Sequence, residues 1–385
     1  MGDWPERPHA PAIWRYRPGA VMVRKLGDLV KHYLRWAVCL GSVSLAVGLV
    51  LTACAPAARP LHGPVLPAHW VRSRHLAGVL DLAGPRADGS FTVAAAGRLF
   101  TLTRAGVLSP FARGPGGYAT AIGPEPYIAL ASGERVARAA CSFPSGTIFA
   151  LQPGRHPGII EITPDGRPSR FTSLPASATP DGITVDTTGR FGHRLVVAAR
   201  NHAATMVLAI DCTGEVRTIT SRAPAMEGGI AVAPASFGRY GGDLIAPSET
   251  TGRVYAIRPD GTVVTLAVSG LPHGGDIGVE STGFLPPRFG ADDAAYLADR
   301  HSKGSRHPGT NSILRLPGLQ LIKAGARAGD LLVATEGSAR TILVHCASSC
   351  TVRYIAAGFT VSHAEGHIVF TRRAELVRRS KSTHL

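Results

Sequence analysis

The chain has 385 residues, of which 45% are hydrophobic and only 6% aromatic, with 45 Gly, 29 Pro and a net charge of +15. That hydrophobic share supports a packed core, and the many Gly and Pro between short apolar runs predict turns and short strands rather than helices. Residues 1–53 and the stretch from Arg372 onward each carry +4, leaving +7 for the long span between; this diffuse excess lacks the basic stripe with interleaved aromatics that marks nucleic-acid binding. The sequence contains no Gly-x-Ser-x-Gly elbow, His-Glu-x-x-His pair, phosphate-binding Gly-Lys loop or Cys-x-x-Cys pair, so serine-hydrolase, zinc-protease and nucleotide-binding readings have no support.

In chain order, basic residues (Arg24, Lys25, Lys31, Arg35) precede an uncharged apolar run from Ala37 that ends in Leu51-Thr52-Ala53-Cys54. A basic region, a hydrophobic region and small residues at a cleavage point are the layout of a secretory signal. The last four residues resemble the lipobox of bacterial lipoproteins. That resemblance implies a diacylglycerol on the Cys54 thiol, removal of residues 1–53, and a protein anchored by lipid at the extracytoplasmic face of the cell membrane. Residues 1–21 sit ahead of the signal, which makes Met22 the expected start. An uncleaved membrane-spanning helix is the alternative reading of the same run.

With Cys39 in the signal and Cys54 at its end, four cysteines remain: Cys141, Cys212, Cys346 and Cys350. In an exported domain they suggest two disulfides, with three pairings open. Cys346-Ala-Ser-Ser-Cys350 would close a hairpin tip between two strand-like runs, so Cys346–Cys350 with Cys141–Cys212 is the preferred pairing. No neighbouring Cys or His pair completes a tetrahedral metal shell.

Residues 54–75, with Pro56, Pro60, Pro64 and Pro67, read as a lipidated tether. Over 76–372 a weak repeat appears, in which an apolar alternating run, a Gly-bearing turn and a second run follow each other. Examples are Gly158-Ile-Ile-Glu-Ile-Thr-Pro-Asp-Gly and Gly252-Arg-Val-Tyr-Ala-Ile-Arg-Pro-Asp-Gly, both of which carry the hairpin signal. Two more strand-like runs precede several of these hairpins, so four strands recur per unit, as in a β-propeller. The expected fold is all-β, with six four-stranded blades closed by N- and C-terminal strands in one blade. The run at Gly366 is expected to supply the first strand that the hairpin near 90–111 lacks. A short helix is expected between Gly318 and Ala328, and a basic flexible tail over 373–385.

The unit openings Pro180-Asp181-Gly182-Ile183 and Met226-Glu227-Gly228-Gly229-Ile230 resemble those of six-bladed propellers of the SMP-30/gluconolactonase and NHL type. In such a ring each blade's first strand lines the central channel, and the residues just before it gather at the mouth. Those positions hold Asp181, Glu227, His273 with Asp276, and His363 with Glu365 and His367. Clustered carboxylates repel unless protons or a cation compensate, and hard oxygen donors favour Ca2+ or Mg2+. The lactonase branch implies a metal held by Glu, Asn and Asp. This chain departs from it, because its two asparagines, Asn201 and Asn311, stand at no blade opening. Turn chemistry and salt bridges are the competing reading of the same residues. Glu280 and Glu336 follow strand-like runs and are read first as solvated strand ends, with Glu280 also able to reach the channel; the insertion Asp299–His307, with Arg300 and Lys303, is read as a solvated loop that could receive an anion. Three functions follow from this: a lipid-anchored protein binding a small ligand or an envelope protein at the channel mouth, a Ca2+-dependent hydrolase of lactone type, or a non-catalytic envelope scaffold.

Overall fold

The structure is a computed structural model that describes residues 67–113 and 125–371. The export signal, Cys54, most of the tether and the tail 373–385 lie outside the described residues.

The chain folds into an all-β propeller. Blade 1 comprises Val79–Ala83, Phe91–Ala95, Arg98–Leu102 and Leu108–Arg113; blade 2 comprises Ile128–Leu130, Ile148–Gln152, Gly158–Ile162 and Pro168–Ser173. Blade 3 runs Thr179–Val185, Leu195–Asn201, Ala204–Ile210 and Val216–Ala223, and blade 4 runs Ala231–Val232, Leu244–Ser248, Arg253–Ile257 and Val263–Val268. The remaining strands join in one nine-stranded sheet, but its two halves meet only at Thr282 and His367, on parallel innermost strands. Divided there, the sheet gives blade 5 (Val279–Phe284, Leu331–Thr335, Thr341–Cys346, Cys350–Ala357) and blade 6 (Ala364–Phe370, Ala294–Asp299, Ser312–Pro317, Val71–His75).

Blades 5 and 6 are interleaved, which differs from the sequence reading of consecutive units. The chain leaves the innermost strand of blade 5, builds the two middle strands of blade 6, passes through the helix Gly318–Lys323, and only then returns to finish blade 5. Blade 6 therefore takes its innermost strand from the C-terminal end and its outermost from the N-terminal end. The hairpin near 90–111 already has its own first strand, Val79–Ala83. The supposed tether also contributes: Ala68–His69 extends blade 5 and Val71–His75 pairs with Ser312–Pro317, because an outermost strand needs only a partner edge and can be polar. All five residues of Val71–His75 are exposed, whereas inner strands such as Phe91–Ala95 and Leu331–Thr335 are buried throughout. Inner strands are thus continuous apolar runs, packed on both faces by neighbouring blades. At the join of blades 6 and 1, for instance, Phe91 meets Tyr296 with ring centroids 5.3 Å apart. Each such buried side chain contributes about 1.5–3 kcal/mol.

Among the described residues two disulfides are present, Cys141–Cys212 between blades 2 and 3 and Cys346–Cys350 across a hairpin turn. They close loops of 71 and 4 residues, so loop-closure entropy stabilises by about 4 kcal/mol in the first case and about 2 in the second. Urea unfolding of the Cys141→Ser/Cys212→Ser protein is expected to show about twice the loss of the Cys346→Ser/Cys350→Ser protein. Equal losses would count against this entropic account.

Candidate functional site

All carboxylates of the site sit at the end of the channel where the innermost strands begin. Glu125 and Tyr127 precede Ile128–Leu130, Asp181 opens the strand of blade 3, and Glu227 precedes that of blade 4. Asp276 and Glu280 belong to the opening of blade 5, and Glu365 to that of blade 6. Second strands add Arg200 in blade 3, Glu249 just after Leu244–Ser248, and Glu336 just after Leu331–Thr335.

Tyr127, fully buried, is the hub of the deeper layer. Its hydroxyl lies 2.7 Å from Glu125 Oε2, 2.9 Å from Glu280 Oε1 and 2.6 Å from Glu365 Oε2. A phenol has one proton to donate and two lone pairs to accept with. Three carboxylates around it are therefore compatible only if some of them carry protons. Burial pushes Glu365 up, but Arg300, then the hydrogen bonds from His363 and Tyr127, hold it at about 2. Arg300 Nη1 stands 3.0 Å from Glu365 and also contacts Glu125. His363 Nε2 lies 2.7 Å from Glu336 Oε1 and 3.3 Å from Glu365 Oε1. Burial disfavours the imidazolium, yet these two carboxylates outweigh it and push His363 up to about 10. Glu365 is thus the fixed anion to which Tyr127 donates.

Above this layer opens a cavity of about 460 Å3, lined by seven carboxylates (Glu125, Asp181, Glu227, Glu249, Asp276, Glu280, Glu336) and one cationic side chain, Arg200. Burial, then the charge on Glu365, pushes Glu125 up to about 7. Burial, then Glu249, does the same to Glu227, again to about 7. Glu336 rises to about 9 through burial, against its hydrogen bond with His363. Glu280 and Asp181 stand well above the carboxylate range, first from burial and next from Glu227. Asp181 is 5% exposed, and neither of its carboxylate oxygens has a hydrogen-bond partner among the described residues. Its nearest cation, Arg200 Nε, is 3.9 Å away, too far for a hydrogen bond. Three groups of donor atoms each lie within 4.8 Å of one another: Glu336, His363 and Glu365; Glu125, Glu280 and Glu365; and Glu249, Asp276 and Glu336.

The cavity does not run through the ring. Gly228 N–H donates to Asp181 O and Gly229 N–H to Glu280 O, which draws the blade 4 opening across the channel. A Cβ on Gly229 would lie 2.1 Å from Gly366 O, so only glycine permits this approach. Below the constriction, Asp81 and His367 form a buried pair. Beyond them a separate hollow of about 330 Å3 is walled by Leu82, Ile128, Ile183, Ile230 and Phe284.

Of the residues singled out from sequence, Asp181, Glu227 and Asp276 line the cavity, while His363 and Glu365 lie in the layer around Tyr127. His273 does not join them. It is exposed, with Nδ1 facing Thr250 O at 3.2 Å, because the turn at Gly274 carries it outward. Glu280 and Glu336 are buried members of the cluster rather than solvated strand ends. Arg300 turns inward as a counter-ion instead of reaching for an external anion, since the buried Glu365 and the half-buried Glu125 hold it. Glu125 and Tyr127 went unrecognised, although Glu125-Pro-Tyr127 stands just before an apolar run as the other openings do.

No protein-family model and no curated protein matches the chain. Among solved structures it is similar to an inactive variant of virginiamycin B lyase from Staphylococcus aureus with quinupristin, at 14% identity and a TM-score of 0.43, over 78% of this chain and 94% of that one. It is also similar to a gluconolactonase from Xanthomonas campestris (14% identity, TM-score 0.35, 64% and 89% covered). A third likeness is to an auxiliary nutrient binding protein from Bacteroides thetaiotaomicron (10%, 0.41, 76% and 62%). These likenesses are loose. They carry no activity over to this chain.

Proposed function

We propose that the protein is a ligand-binding propeller, held at the extracytoplasmic face of a membrane by lipid on Cys54, whose channel mouth takes a hard divalent cation of the Ca2+ class. The carrying observation is the cavity itself, lined by seven carboxylates among the described residues, of which Glu249, Asp276 and Glu336 bring donor atoms within 4.8 Å of one another. Carboxylates gathered this closely repel one another, and without a cation the cluster must hold protons. Oxygen donors spread over several blades suit the six to eight ligands that Ca2+ accepts, with Glu249, Asp276 and Glu336 as the group that would hold it and Glu227 beside Glu249. The signal layout ending at Cys54 supports the anchor.

Calorimetry of the full-length protein in detergent, after chelation, tests this reading. One Ca2+ per chain is expected, with proton release and at least tenfold weaker binding in Glu249→Gln and Asp276→Asn. Absence of binding to Ca2+, Mg2+ and Mn2+ would overturn it. A second reading, metal-assisted hydrolysis of a lactone, draws support from Glu125 and Glu227, both pushed up to about 7. Carboxyl groups in that range serve as general acid or base at neutral pH. Lactone turnover with Ca2+ that survives unchanged in Glu227→Gln would remove Glu227 from that role.

A further inference from the structure

The face opposite the acidic mouth carries a cleft of the reverse charge. It has a volume of about 410 Å3 and draws Arg138 from blade 2 and Arg190, His193, Arg194 and Arg217 from blade 3, with Pro259 of blade 4 closing one side; no carboxylate among the described residues lines it. It shares no lining residue with the acidic cavity. Its loop, 186–194, leaves the far end of the blade 3 innermost strand, whereas the acidic residues gather where those strands begin.

Two observations indicate that the cleft is built for a ligand. First, the side chains of Arg138, Arg190, Arg194 and Arg217 make neither a hydrogen bond nor an ion pair within 4 Å among the described residues. Asp211 and Asp243 act on Arg194 and Arg190 only through their field. Arginines gathered round one hollow repel each other, and an oxyanion offers the fork-shaped acceptors that guanidinium groups match. Second, the loop is fixed beforehand. Asp186, fully buried, accepts the backbone N–H groups of Thr188, Gly189, Phe191 and His193 at 2.7–3.0 Å. Gly189, Gly192 and His193 take left-handed backbone angles (φ 81°, 73° and 59°) to make those bonds possible. A rigid loop that presents Arg190 and Arg194 loses little conformational entropy on binding.

We propose that this cleft binds a multiply charged oxyanion of the phosphate class. Four guanidinium groups around one small hollow call for more than a single negative charge, and phosphate oxygens meet several of them at once. The group can belong to a free phosphate compound or to a lipid headgroup, and the experiment tells the two apart.

Inorganic pyrophosphate is titrated into the full-length protein in detergent at low and moderate ionic strength. One molecule per chain is expected to bind, more weakly as salt screens the charges. Arg194→Gln and Arg217→Gln should each reduce affinity about tenfold or more, as the loss of a charge-assisted hydrogen bond does. Arg155→Gln, an exposed arginine outside the cleft, should leave it unchanged. In parallel, co-sedimentation with phosphatidylglycerol vesicles is compared with phosphatidylcholine vesicles, which corrects for any anchor. An excess on the anionic vesicles that both cleft variants abolish, without pyrophosphate binding, assigns the cleft to a headgroup. Pyrophosphate binding that both variants leave intact overturns the proposal, as does failure of both probes.

Discussion

Replacing Asp81 by Asn is expected to cost the propeller at least about 3 kcal/mol, the usual loss when one partner of a buried ion pair is removed. Asp81 is fully buried in the channel and accepts the backbone N–H groups of Leu82, Ile128 and His367, each at 2.8 Å, so one carboxylate ties blades 1, 2 and 6 together. His367 Nδ1 stands 3.0 Å from Asp81, and its Nε2 2.9 Å from Ile183 O in blade 3. Both ring nitrogens face acceptors, so both must donate, and the imidazole is the charged form. Burial opposes that charge, while Asp81, ahead of the Ile183 carbonyl, raises the imidazole above its ordinary range. An amide at position 81 removes the charge and turns an N–H donor toward backbone donors. Urea denaturation should report the loss with an unchanged denaturant slope. His367→Gln, which keeps a side-chain donor, should lose less. If Asp81→Asn matches the parent within about 0.5 kcal/mol, the pair is not the pin described here.

The second large effect is a fall in stability with rising pH in the absence of divalent cations. Glu125 and Glu227 rise to about 7 and Glu336 to about 9 in the folded protein, through burial and neighbouring carboxylates. Between the unfolded carboxyl range and those values the folded state binds more protons than the unfolded one, so stability declines as pH rises. His363, raised to about 10, works in the same direction: its contribution is complete below the unfolded histidine value and is lost as pH climbs toward 10. Glu365, held at about 2, contributes in the opposite sense, with stability present above the unfolded value and lost as pH falls toward 2. The melting temperature in chelator should therefore peak near about pH 5 and fall progressively toward pH 9. Ca2+ in excess should flatten the alkaline side by taking the place of the protons. A chelated profile that stays level or rises from pH 5 to 9 would contradict the charge balance described for the mouth.

Some of the site was legible because the propeller repeats itself. Asp181, Glu227, Asp276 and Glu365 stand just before or at the start of an apolar run, a position that recurs from blade to blade. Glu125 escaped because the innermost strand of blade 2, Ile128–Leu130, has only three residues, too few to show alternation. Arg200, Glu249 and Glu336 stand at the ends of second strands, and nothing local distinguishes a strand end at the channel from one at the rim. Glu280 follows Val279 at the start of its strand, and a charged side chain there looks like a solvated end. Its burial depends on Tyr127, 153 residues away.

By itself the sequence determined the local structure. Alternating apolar runs and Gly-bearing turns dictate hairpins, and repeated hairpins dictate stacked blades, since each must bury its faces against the next. Only the tertiary structure decided how blades 5 and 6 share their strands, because an innermost strand completes either of two adjacent sheets with the same hydrogen bonds. It also decided the chemistry of the mouth. Whether a carboxyl group holds its proton depends on burial and on charges that the fold brings alongside, as when Tyr127 meets Glu365 across 238 residues of chain.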